Sequence, residues 1–426
     1  MSARASSVSK APSPVPAAER RCRFCASTLQ QTVVDLGVTP PANYYLRAAD
    51  LNRAEPFYPL HAFVCDGCLL VQIEDVQSPE QLFGDYAYFS SYSDSWLRHA
   101  ERYVAGMVER FGFDKRSHVI EVASNDGYLL QYFAGRGIPV LGIEPAANVA
   151  RVAQAKGIPS LVKFFGVETA RALAANGQSA DLLIGNNVLA HVPDLNDFVA
   201  GLRIALKPDG ILTMEFPHLL QLMTLNQFDT IYHEHFSYFS LLAARRIFAH
   251  HGIRLFDVDQ LPTHGGSLRI YGCHDAASRA TAPSVESLIT REKAAGLTDL
   301  ATYGRFAEQV KRTKRELLTF LIGAKNAGKT VVGYGAPAKG NTLLNYCGVR
   351  GDFLDYTVDS SPHKQGLYLP GTHIPIHAPE AIYASKPDYV LILPWNIKDE
   401  IVEKMSGIRA WGGRFVLPIP TVQVIE

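Results

Sequence analysis

The stretch HVIEVASNDG, residues 118–127, decides the fold. Residues 118–123 read as an apolar strand interrupted by one acid, Glu121. Ser124, Asn125, Asp126 and Gly127 make a small polar turn, and a helical pattern follows over 128–136. The same unit then recurs. Residues 139–143 (PVLGI) end in Glu144, ahead of a helix over 148–156. Residues 180–185 (ADLLIG) end at Asn186 and Asn187, ahead of a helix over 196–206. Lys207, Pro208, Asp209 and Gly210 turn the chain into a strand over 211–216. Strands alternating with helices give a parallel, doubly wound α/β sheet. Ligands of such sheets bind at the carboxyl ends of the strands.

The residues at those ends carry the chemistry. A small polar turn after the first strand lets backbone approach a ligand, and an acid at the end of the second, Glu144, can accept both ribose hydroxyls. The G-x-G-x-x-G of a dinucleotide site is absent here. S-adenosylmethionine has no pyrophosphate to grip, so a turn with fewer glycines suffices. The competing reading makes Asp126 a helix N-cap and Glu144 a solvated strand end.

Outside this sheet the chain divides further. Its 426 residues suggest two to four domains. Lys and Arg total 41 and so do Asp and Glu, a balance that offers no general pull toward nucleic acid or anionic lipid. No run approaches the roughly 18 apolar residues of a membrane span. Residues 1–20 are rich in Ala, Ser and Pro and lack the apolar stretch of a signal peptide. They read as a disordered tail on a cytoplasmic protein.

Cys22 and Cys25, then Cys65 and Cys68, form two C-x2-C knuckles. Four thiolates can converge tetrahedrally on Zn²⁺, closing its coordination sphere and leaving it structural. A redox dithiol is the alternative, but no thioredoxin-like pattern surrounds either pair. Strand-like runs over 31–36 and 59–64 agree with a zinc ribbon of residues 21–80.

Past the central strands lies FDTIYHEHFSYFS, residues 228–240. Tyr232, His233, Glu234 and His235 concentrate titratable groups there. On a strand His233 and His235 share one face. In a turn Glu234 would orient His235 as an acid–base pair. A His-x-His metal site and a hydrogen-bonded aromatic hairpin are the competing readings. His191, just past the third strand, is a second base candidate at the same cleft. The last third has a helical stretch over 284–329. A strand over 330–333 then enters Tyr334-Gly335-Ala336-Pro337-Ala338-Lys339-Gly340, and further strands cover 356–358, 388–393 and 414–417. A glycine turn opening a helix near Lys339, with Asp359 and Lys364 at the next strand end, suits a phosphate group. A plain fold-supporting turn is the alternative.

In combination, the two knuckles, EVASNDG, NNVLAHV, YHEHFSYFS, HGGS and VVGYGAPAK resemble the S-adenosylmethionine-dependent sugar C-methyltransferases. These include the 3-C-methyltransferases of branched deoxysugars such as mycarose and tetronitrose. The resemblance runs from about Cys22 to the C-terminus. It implies a zinc-binding domain (21–80), a Rossmann-like class I methyltransferase domain (81–275) and a second Rossmann-like domain that helps hold a nucleotide sugar (276–426). It also implies a reaction: a nucleotide-linked 4-keto-6-deoxysugar loses the proton beside its ketone, and the enolate takes a methyl group from S-adenosylmethionine.

Matched motif to motif, His235 is the expected general base, with Glu234 setting its tautomer. Tyr232 and His191 would hold the ketone or enolate oxygen, and Tyr88 or Tyr86 would complete the active site. Glu121, Ala123, Asn125, Asp126, Gly127, Glu144, Asn186 and Asn187 would form the cofactor site. His233, His264, Gly335, Lys339 and Lys364, with Tyr86, would meet the nucleotide sugar. The family's usual acid before Glu234 is His233 here, and its usual glycine before the Ser-Asn-Asp-Gly turn is Ala123. The alternatives are a nicotinamide-dependent sugar epimerase or dehydrogenase and a catalytically idle zinc module. The expected assembly is a monomer or weak homodimer.

Overall fold

In the computed structural model, residues 20–78, 90–92 and 94–425 are described. Of the N-terminal tail expected over residues 1–20, residues 1–19 lie outside them, as do Tyr86 and Tyr88.

Three sheets organise the chain. The first is antiparallel and joins β1 (Gln31–Thr39), β2 (Tyr58–Val64) and β3 (Val71–Ile73). Its fourth strand is β9 (Ser237–Tyr238), which comes from the histidine-rich stretch and pairs Val71 with Tyr238. The residues that follow the candidate catalytic box therefore finish the sheet of the cysteine module.

The central sheet has the order β10-β11-β8-β7-β4-β5-β6. Its heart is β4 (Val119–Val122), buried at every residue and paired in parallel with β5 (Val140–Ile143) and β7 (Ala180–Asn186). Burial on both faces explains why this strand reads as an apolar run broken only by Glu121. Outward lie β6 (Ser160–Leu161) on one side and β8 (Leu206–Pro217) on the other. β11 (Ser267–His274) runs antiparallel to β8 and to β10 (Ile253–Leu261). The strand ends gather at one edge. There Ala123, Asn125 and Asn187 hold left-handed φ values of 56°, 50° and 53°. Such backbone bends the chain sharply away from each strand and exposes the peptide groups of the turn.

The third sheet orders β14 (Ile376–His377), β13 (Thr357–Val358), β12 (Val331–Tyr334), β15 (Tyr389–Ile392) and β16 (Arg414–Leu417) in parallel, with β17 (Gln423–Ile425) antiparallel at its edge. At the end of β12, Gly335 has φ +89°. A Cβ there would sit 2.6 Å from a Pro394 ring carbon, so both conformation and space require glycine. The helical stretch resolves into two helices, Pro283–Ala294 and Leu300–Asn326. The second packs against β1 and so ties the third unit to the cysteine module. No helix among the described residues is long and apolar enough to cross a membrane.

Candidate active site and cysteine cluster

A cavity of about 1150 Å³ lies where the three units meet. The central sheet contributes Ala123, Asn125, Glu144, Asn186, Asn187, His191 and His264. The histidine box adds Tyr232, Glu234 and His235. The cysteine module adds Asn43 and Tyr45, and the third unit adds Lys339, Lys364 and Asn396.

At the cofactor end, Glu144 accepts the Asn125 backbone N–H at 3.0 Å and that of Ala146 at 2.9 Å. It is a buried anchor for the turn, not a solvated strand end. Burial raises its pKa. Neither side-chain atom of Asn186 has a partner among the described residues, although the residue is only 7% exposed. A buried amide with open valences on a cavity wall is suited to a ligand. Three of the expected cofactor residues lie behind the wall. Glu121 is buried, and its carboxyl is raised well above the usual range by burial and then by Glu144. Asp126 pairs with Lys156 at 3.1 Å. The helix that follows, Leu130–Ala134, has no side-chain cap, so Asp126 is not an N-cap either. Gly127 holds φ +75°, and a Cβ there would press on Ile158 at 3.1 Å. These three shape the turn from beneath.

In the box, His235 Nδ1 lies 2.9 Å from the Thr230 carbonyl. A carbonyl only accepts, so Nδ1 carries the proton and Nε2 the lone pair. Tyr232 Oη is 2.8 Å from Nε2 and donates to it. Burial holds the His235 pKa well below its ordinary value, with His191 adding to the effect, so the ring is a neutral base at pH 7. The orienting group is thus the Thr230 carbonyl and not Glu234 as the sequence led us to expect. Glu234 instead accepts a 2.6 Å hydrogen bond from Asn43 Nδ2, and burial pushes its pKa up to about 7. His191 packs edge-on to His235 at 4.7 Å, and burial lowers it to about 4. His233 turns away: its Nε2 meets the Pro59 carbonyl at 3.2 Å and its ring packs edge-on to Tyr58. It serves the seam with the cysteine module and is not on the cavity wall.

At the far end, Lys339 donates to Asn396 at 2.8 Å and lies 4.6 Å over the Trp395 ring. Lys364 donates to the Ala336 carbonyl at 2.9 Å and lies 3.6 Å from Asp359. Gly335 stays behind this wall. Trp395 also donates to the buried Asp229 at 2.7 Å, and burial raises that carboxyl to about 7. His264, with φ +54°, brings its Nε2 to 3.4 Å from Asn187 Nδ2. Sequence reasoning missed Asn43, Tyr45 and Asn396, which enter only through the fold, and Thr230, which lies in the box but acts through its backbone carbonyl.

The cysteine sulfurs all lie within 4.8 Å of one another. Cys22 to Cys68 is 3.5 Å and Cys25 to Cys65 is 3.4 Å. Zn–S bonds of about 2.3 Å place tetrahedral sulfurs about 3.8 Å apart, so this donor set fits zinc. The knuckles match one another. Ala26 and Leu69 both hold left-handed backbone (φ 59° and 67°), and each donates its N–H to the first cysteine of its pair. Non-glycine residues adopt that conformation at a cost of about 1–2 kcal/mol each, which a shared metal offsets.

Comparison with known proteins fits this geometry. The chain is 37% identical, over 95% of its own length and 96% of the relative's, to C-methyltransferase NovU of Streptomyces niveus. It belongs to this C-methyltransferase family. Three family models cover it in series: "Putative zinc binding domain" over 22–83, "Methyltransferase domain" over 96–258 and "C-methyltransferase C-terminal domain" over 262–420. A ubiquinone biosynthesis O-methyltransferase of Chelativorans sp. is 29% identical over 25% of this chain and 45% of its own. Among solved structures, magnesium protoporphyrin IX methyltransferase of Synechocystis PCC 6803 with bound SAH covers 42% of this chain and 83% of its own. Its TM-score is 0.34 and its identity 17%.

Proposed function

We propose that this C-methyltransferase methylates the carbon beside the ketone, C3, of a nucleotide-linked 4-keto-6-deoxysugar in the cytoplasm. One observation carries the reading: a single cavity is lined by methyltransferase strand ends, a neutral Tyr–His pair and two lysines. S-adenosylmethionine, held by Asn125, Glu144, Asn186 and Asn187, supplies the methyl group. Lys339 and Lys364 meet the diphosphate. The carbon proton passes to Tyr232 Oη as the phenol's own proton moves to His235 Nε2. His191 and His264 line the site as neutral rings, suited to hydrogen bonding with the enolate oxygen. Ionised Glu234 accepts a sugar hydroxyl. The zinc is structural.

The test is incubation with labelled S-adenosylmethionine and a panel of 4-keto sugar nucleotides, beside calorimetric titration of S-adenosylhomocysteine and NAD. Label in a sugar carbon is expected. Tight NAD binding with no S-adenosylhomocysteine binding would overturn the assignment.

A further inference from the structure

We propose that Asn43, carried by the cysteine module, is a positioning residue for the Glu234 carboxylate in the active site of another domain. The inference rests on Glu234 acting as proposed above. Asn43 sits in a short strap between β1 and β2 that is fastened to the third unit at several points. Asn341 Nδ2 donates to the Ala42 carbonyl at 2.6 Å, and Tyr45 Oη donates to the Ala336 carbonyl at 2.5 Å. Leu46 and Tyr368 exchange backbone hydrogen bonds at 3.0 and 2.9 Å. Beyond the strap, Glu55 accepts the Gly371 N–H at 2.7 Å. The strap is thereby fixed, and from it Asn43 reaches the opposite wall to donate to Glu234 Oε1 at 2.6 Å.

The chemistry of that contact is directional. An amide N–H stabilises the ionised carboxylate, and Glu234 is otherwise buried away from solvent. The other polar and titratable groups nearby are Tyr45 on the strap, His191 after β7, His233 and His235 in the box, and Lys339 and Lys364 across the cavity. Among the described residues, the side chain that hydrogen-bonds the Glu234 carboxylate is that of Asn43. The zinc module is therefore part of the active site, and its integrity sets an ionisation state in the catalytic box.

The test is Asn43→Ala and Asn43→Asp in the zinc-loaded full chain. Glu234 is titrated by infrared difference spectroscopy, assigned through Glu234→Gln, and kcat and KM are followed against pH. A lost hydrogen bond to a buried charge raises the Glu234 midpoint by about 1–2 pH units. For a shift of one unit, kcat at pH 7 falls about five-fold and recovers by pH 9. Asn43→Asp, which sets a second carboxylate against the first, shifts it further. Zinc content and S-adenosylhomocysteine affinity stay at wild-type values. An unmoved midpoint overturns the proposal. A variant that loses zinc or S-adenosylhomocysteine binding overturns it too, because Asn43 would then be a general packing residue. A shifted titration in a protein that methylates no keto sugar sinks the substrate reading and leaves the positioning role standing.

Discussion

Glu234→Gln should stabilise the protein while disabling it, and the gain should grow with pH. The carboxyl is 6% exposed and its pKa rises from 4.5 to about 7 on folding, mainly through burial. A carboxyl raised in this way binds its proton more tightly in the folded chain. Its stabilising contribution is complete below the unfolded pKa and is lost as pH rises through the folded one. The full loss is about 3 kcal/mol, at 1.36 kcal/mol per pKa unit. Between pH 5.5 and 8.5 about 2 kcal/mol of it disappears. Glutamine keeps the shape and the Asn43 hydrogen bond but has no proton to lose. The stability difference between the Glu234→Gln variant and wild-type protein should therefore widen by about 2 kcal/mol over that interval. Denaturant melts of both proteins at the two pH values measure it, and groups common to both cancel. A difference that stays flat or narrows with pH would show the carboxylate to be ionised and satisfied in the fold, and the burial argument would be wrong.

Tyr232→Phe and His235→Gln should each cost about 10²–10⁴ in kcat, the usual worth of a positioned base. The double variant should be no worse than either, since the two act as one relay; multiplied losses would separate them. Lys339→Met should raise KM for a nucleotide sugar by about ten-fold or more, equivalent to 1.4 kcal/mol, and leave S-adenosylhomocysteine affinity unchanged. An unchanged KM would take the diphosphate away from Lys339. Ala123→Gly relieves a φ of +56° and should stabilise by up to about 1 kcal/mol, the left-handed penalty less the extra freedom of glycine in the unfolded chain. Cys65→Ser should lower bound zinc and the melting temperature together; a variant retaining one zinc per chain by metal analysis would displace Cys65 from the ligand set.

The fold was legible where one residue type does one job. The apolar run of β4 announces a strand buried on both faces, and paired cysteines announce a shared ligand. The strand starting at Ser237 was not legible, because its two residues pair only once the chain has wrapped around the cysteine module. Residues 253–261 and 267–274 were not read as strands, although the Pro262 and Gly265-Gly266 turn between them marks a hairpin. The box was found but its wiring was not. Strand alternation put His233 beside His235; the bend that brings His235 N–H to the Tyr232 carbonyl turns His233 toward Pro59 instead. Thr230 orients His235 through a backbone carbonyl, which every residue has and no motif can mark. Asn43 stands 191 residues from Glu234, and a lone asparagine in a loop carries no signal until the fold supplies its partner.

These partners explain a property of the cavity that no single residue displays. Burial is the leading influence on every titratable group of the wall that shifts strongly, and it drives acids and bases in opposite directions toward neutrality. His191 and His264 fall to about 4 and His235 also falls, while Glu234 rises to about 7 and Glu144 rises. The charge that remains is that of the lysines and of the ionised fraction of Glu234. Burial depresses Lys339, whereas Tyr45 and Asp359 outweigh it at Lys364 and raise that group. In the proposed reaction, a wall of largely neutral donors and acceptors with two cations at one end would hold the diphosphate by charge and leave the far end weakly screened. Hydrogen bonds to a developing enolate are strongest in such surroundings, because no water reorganises to compete with them. The same low-dielectric packing that makes His235 a base at neutral pH makes Glu234 costly to ionise, so catalytic competence and the loss of stability at high pH have one physical origin.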